Sequence, residues 1–98
     1  MHVPTLSPLR RIAFLREVTA LGTTAIYERI KAGLLTPPVK LARSSAWPEH
    51  EIAVINAAII GGKSDSEIRA LVARLVAERT RAPETEDVMA RARQALGA

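Results

Sequence analysis

Few residues in this chain are of a type and spacing that could do chemistry. Its two histidines, His2 and His50, are far apart, and there is no Cys to join them in a metal site. The run "GGKS" at Gly61–Ser64 has the tail of a phosphate-binding loop. That loop also needs a Gly five residues before its second Gly, where this chain has Ala57 in a helical stretch with no strand before it. Ser44, Ser45 and His50 are close in sequence, but no orienting acid or cleft accompanies them. The expectation is therefore no catalytic residue, no bound metal, no cofactor and no enzyme.

What remains is positive charge and hydroxyls placed for a polyanion. The chain of 98 residues carries a formal charge of +4, unevenly spread. Residues 1–47 hold seven basic groups (Arg10, Arg11, Arg16, Arg29, Lys31, Lys40, Arg43) against Glu17 and Glu28. Residues 48–98 hold seven basic groups against eight acidic ones. A basic half facing a balanced half suits nucleic acid phosphate, although a few solubilising arginines would look the same.

The elements that must position these groups follow from periodicity and punctuation. Residues 1–11 contain two prolines and no period, which predicts an extended arm. Phe14, Leu15, Val18 and Leu21 mark one helical face. Gly22 breaks that run, and Thr23 or Thr24 can cap the next helix, "TTAIYERIKAG", with Ile26 and Ile30 inward and Gly33 as its stop. Two short helices across a tight turn form a helix-turn-helix. Pro37-Pro38 forces extended backbone. "VKL" and "SAW" then read as two short strands joined through Ala42-Arg43-Ser44, a β-hairpin wing. Val39, Leu41 and Trp47 would face the helices while Lys40 and Arg43 point out.

Trp47, the only Trp, precedes Pro48 in the chain's one "AWPE" run. Pro48 suits the first turn of a helix, where its missing N–H costs nothing, and Glu49 and Glu51 suit the positive end of that helix. Trp47 is thus expected to be the structural anchor between wing and helix. The charge changes sign there because the polyanion-facing half ends there.

Taken in order, "LREV" (Leu15 to Val18), "IY" (Ile26-Tyr27) with "IKAG" (Ile30 to Gly33), "PPVKL" (Pro37 to Leu41) and "AWPE" (Ala46 to Glu49) resemble the AlpA-type phage and prophage regulators. These are relatives of excisionases and of the MerR winged-helix group. The resemblance spans residues 9–60 and implies a winged helix-turn-helix that binds DNA and regulates transcription. It departs at the turn. The family's Leu-Thr-Gly-Leu-Ser-Arg-Ser-Thr before Ile-Tyr is longer than the segment after Leu21, and the Arg that often opens the recognition helix is absent. Glu28 also stands where a basic residue is common.

The expected DNA-binding set is Thr23, Thr24, Tyr27, Arg29, Lys31, Lys40, Arg43 and Ser44. Thr23 and Thr24 could meet base edges or simply cap. Tyr27 could bind a phosphate or fill the gap between helices. Arg29 and Lys31 suit phosphates, which position a protein without reading sequence. Arg43 at the wing tip suits a narrow minor groove, or a solvated turn. Glu28 repels phosphate, so it must face a base edge, pair with a basic neighbour, or point away.

Beyond Gly61-Gly62, Ser64 and Glu67 have capping-box spacing. Ile68, Leu71, Val72, Leu75 and Val76 then form one apolar stripe. The stripe either folds back on the winged domain or pairs two copies, and dimerisation is the reading preferred here. A last helix within "TEDVMARARQAL" would be capped by Thr85. No apolar run reaches the roughly twenty residues of a membrane span, and the N-terminus lacks the apolar block of a secretion signal.

The expected fold is mainly α: an arm (1–11), a winged helix-turn-helix with a small β-hairpin wing (12–60) and a C-terminal helical extension (61–98). The expected function is a sequence-specific regulator of transcription that binds double-stranded DNA as a homodimer. It would be cytoplasmic, bacterial or phage-encoded, and nucleoid-associated. The alternatives are an antirepressor or adaptor on the same scaffold, and an architectural, excisionase-like DNA-bending factor.

Overall fold

The computed structural model describes residues 7–80. In chain order the elements are β1 (Leu9–Arg10), α1 (Ile12–Thr19), α2 (Thr23–Lys31), β2 (Val39–Leu41), β3 (Ser44–Pro48), α3 (Glu49–Ile60) and α4 (Asp65–Glu78). Four helices thus surround a small antiparallel sheet of strand order β1-β3-β2.

α1 stops because Ala20 enters the left-handed region at φ 61°, while the Thr19 hydroxyl donates to Leu15 O at 2.6 Å and accepts from Leu21 N at 3.3 Å. A three-residue connection, 20–22, leads into α2. Here the expectation is corrected twice. The left-handed residue is Ala20, whereas Gly22 is extended at φ −77° and serves as the N-cap of α2. Neither Thr23 nor Thr24 caps: they lie inside the helix, one and two positions past the N-cap, too late for a side chain to turn back onto the orphan N–H groups.

Gly33 ends α2 as expected. At φ +80° it lets Gly33 N donate to Ile30 O (3.1 Å) and Leu34 N to Arg29 O (2.9 Å), the paired bonds of a Schellman motif. Gly62, at φ +78°, closes α3 with the same pair, to Ile59 O and Ala58 O. α4 begins at the predicted capping box: Ser64 Oγ accepts from Glu67 N, and Glu67 Oε1 accepts from Ser64 N, each at 3.2 Å.

β2 and β3 pair Val39 with Ala46, Lys40 with Ser45 and Leu41 with Ser44, leaving Ala42-Arg43 as a two-residue turn. Ala42 is left-handed at φ 56°. Leu41 shares the parity of Val39 but is 49% exposed, so it does not face the helices; the hairpin projects past them. Pro48 is one position earlier than expected, ending β3 and serving as the N-cap of α3.

Part of the expected arm belongs to the sheet. Leu9 pairs with Pro48 and Arg10 with Trp47. The arm also supplies the cap that Pro48 cannot. Pro8 O accepts from Glu49 N (2.8 Å) and Ser7 Oγ from His50 N (3.2 Å), satisfying two free donors of the first turn of α3. Arg10 adds an ion pair to Glu49 at 2.9 Å and lies 5.0 Å from the centre of the Phe14 ring.

The core joins Leu15, Ile26, Leu34, Leu35, Trp47, Ile52 and Ile55 to Ile68, Val72 and Leu75 of α4. Leu71 packs against its margin and Val76 is half-buried. α4 therefore folds back onto the core of its own chain through Ile68, Val72 and Leu75. Their apolar faces cover α3 and the loop before the hairpin. α4 completes the core of the preceding residues. The expected helix after Pro83 and residues 1–6, including His2, lie outside the described residues.

Candidate nucleic-acid interface

Ile26 and Ile30 turn one side of α2 into the core, which fixes what the other side shows. At about 100° per residue, Glu28 sits opposite the buried pair, and Thr24, Lys31 and Tyr27 follow at about 40°, 60° and 100° from it around the helix. Thr23, Thr24, Glu28 and Lys31 are exposed, and Tyr27 is 44% exposed. One face of α2 thus offers two hydroxyls, a phenol, a carboxylate and an ammonium.

Arg29 is not on that face. It is half-buried and lines a groove with Val18, Leu21, Leu35, Ile55 and Ile59, on the side of α2 toward α3. Two residues of helix separate the directions of Arg29 and Lys31 by about 160°, so the two cations lie on different sides of α2.

The hairpin is fixed to α2 through Trp47. This side chain is fully buried, donates from Nε1 to Thr36 O at 2.9 Å, and meets Tyr27 edge-on with ring centroids 6.4 Å apart. An indole buried with its N–H satisfied is a rigid joint, so the hairpin and α2 share one frame. From that frame Lys40 and Arg43 reach solvent, with Arg43 in the tight turn. Lys40 Nζ donates to Ser45 Oγ across the strands at 2.7 Å. Ser44 is half-buried at the first position of β3.

Acidic groups neutralise cations elsewhere. Among the described residues the ion pairs are Arg10–Glu49, Lys63–Glu67 and Arg79–Glu51. Among the described residues Lys31, Lys40 and Arg43 have no carboxylate within ion-pair distance, and neither do Arg11, Arg16, Arg69 and Arg74. Hydrogen bonds from the Ser64 backbone and hydroxyl, helped by Lys63, hold the Glu67 carboxyl below the usual carboxylate range.

Sequence reasoning missed Arg69. From α4 it donates from Nε to Ala32 O at 2.9 Å, and its methylenes pass 3.6 Å from where a Cβ on Gly33 would stand. A guanidinium at a helix C-terminus is favoured by the helix dipole, but no local pattern ties residue 69 to residue 32. Ser7 was missed for the same reason. Its hydroxyl lies 2.7 Å from His50 Nδ1 while accepting from the His50 backbone, so it acts as a cap.

A second surface feature is apolar. The groove of about 290 Å³ between α1 and α3 leads to Ile60, 85% exposed, beside Ile59 and Val18 at 44% and 40%. Among the described residues no group of three or more His, Asp or Glu could hold a metal ion, and no helix is long and apolar enough to cross a membrane. Comparison with protein-family models, curated proteins and solved structures finds no significant match.

Proposed function

We propose that this chain is a sequence-specific DNA-binding regulator of the AlpA and excisionase type, built as a winged helix-turn-helix. α1 and α2 are its helix pair, α2 the recognition helix, and the β2–β3 hairpin the wing. The observation that carries the reading is the single frame made by Trp47, which holds the exposed face of α2 and the cationic hairpin together. In this reading the first turn of α2 enters the major groove. Thr23 and Thr24, free of any capping bond, meet base edges. Lys31 and Lys40 bind phosphates, and Arg43 follows the backbone or enters the adjacent minor groove.

The test is selection of bound duplexes from a random DNA pool at physiological salt, followed by sequencing. An enriched motif supports the reading, and an inverted repeat would further mean two copies reading half-sites about 34 Å apart. Absence of enrichment by folded protein contradicts it.

The apolar groove favours a second reading, a protein-interaction module of adaptor or antirepressor type. Ile60 and Ile59 beside a pocket form the kind of patch that partners cover. Substituting Ile60→Glu would leave DNA selection intact under the first reading and abolish function under the second.

A further inference from the structure

Glu28 is the anomaly of the exposed face of α2. An acid on a surface that meets phosphate costs affinity at every sequence, since it repels the backbone throughout. Three arrangements would remove that cost, and the geometry distinguishes them. Glu28 could be neutralised by a neighbour, but it has no ion pair among the described residues, Lys31 one turn later included. It could point away, but it is exposed and is itself the residue opposite the buried pair of α2, about 40° around the helix from Thr24. The third arrangement is to face a base edge between the two backbones.

We propose that Glu28 is a specificity-determining residue that accepts a hydrogen bond from an exocyclic amine in the major groove, cytosine N4 by preference. This rests on the DNA-binding reading above. In the major groove cytosine offers a donor at N4, whereas guanine and thymine offer acceptors there that a carboxylate repels. Adenine also has a donor, N6, but flanked by the N7 acceptor, so a carboxylate gains less from it. Glu28 thus selects by attraction to one base and repulsion from two others, the combination that specificity needs. The neighbouring hydroxyl of Thr24 and ammonium of Lys31 are the groups placed to read or bind beside it.

The same random-pool selection, run side by side on wild type, Glu28→Gln and Glu28→Ala, tests this. All three should fold alike, because the Glu28 carboxylate makes no hydrogen bond or ion pair among the described residues; circular dichroism checks that point. Wild type is expected to enrich cytosine at one position of its site, by on the order of ten- to hundred-fold over the other bases. Glu28→Gln should move that position toward adenine, whose N6 and N7 suit an amide, and Glu28→Ala should leave it without preference. Both variants should bind non-cognate duplex more tightly than wild type at low salt, because one repulsive charge is gone. An enriched wild-type motif that neither variant alters overturns the role of Glu28 and leaves the DNA reading standing. A wild type that enriches nothing overturns both.

Discussion

Arg79 and Glu51 lock the end of α4 to the beginning of α3. Arg79 Nη2 donates to Glu51 Oε1 at 2.6 Å and Nε to Oε2 at 2.8 Å, and the carboxylate is fully buried. The same guanidinium donates to Pro37 O at 2.8 Å, so one side chain holds α3, α4 and the loop that leads into the hairpin. The pair explains why an acid at the third position of a helix can be buried, and why α4 belongs to the domain.

Removing Arg79 would leave the Glu51 carboxylate buried without a partner, an arrangement that costs about 3–5 kcal/mol. Arg79→Ala should lower the unfolding free energy by that order in urea titrations, a large share of what a domain this size has. Arg79→Lys should recover only part, because a point charge cannot reproduce the forked contact. A loss in Arg79→Ala no larger than that of an exposed arginine such as Arg74→Ala would contradict the clamp.

The two left-handed alanines make the opposite kind of prediction. Ala20 and Ala42 adopt φ 61° and φ 56°, where a Cβ is strained and glycine is not. Ala20→Gly and Ala42→Gly should each raise stability by roughly 0.5–1 kcal/mol, whereas Gly33→Ala, at φ +80°, should lower it. Thermal melts of the three variants give the signs directly.

The capping box at α4 makes stability depend on acid. Hydrogen bonds from Ser64 lower the pKa of Glu67 in the folded chain relative to the unfolded value near 4.5. Its contribution is therefore complete above that value and is lost as pH falls through the folded pKa. The stability difference between wild type and Glu67→Gln should be steady near neutrality and shrink below pH 4.5 or so. A difference that does not change with acid would place the stabilisation elsewhere.

Much of this architecture was legible because its signals are local. Gly33, the capping box of Ser64 and Glu67, and the alternation around Ala42-Arg43 each dictate a neighbour's backbone within a few residues. The rest depends on contacts between distant residues. A two-residue strand, Leu9–Arg10, has no period to read, and only its pairing with β3 defines it. Ala20 has no left-handed signature, so the break was assigned to the nearby glycine. The α4 stripe has the same spacing whether it meets its own core or a second copy, and only the packing of Ile68, Val72 and Leu75 shows that it covers its own core. Within the candidate site, Lys40 and Arg43 could be placed outward from pattern alone, but the direction of Arg29 turns on which side of α2 packs against α3.

The central claim is that α2 and the hairpin form one phosphate-contacting face. The measurement that tests it most directly is the salt dependence of duplex binding by wild type and the double variant Lys31→Ala/Arg43→Ala. Each lost phosphate contact flattens the slope of log affinity against log salt concentration by about 0.9, so the variant's slope should be shallower by about two. An unchanged slope, in a variant with the wild-type melting curve, would mean that DNA does not lie across these two elements.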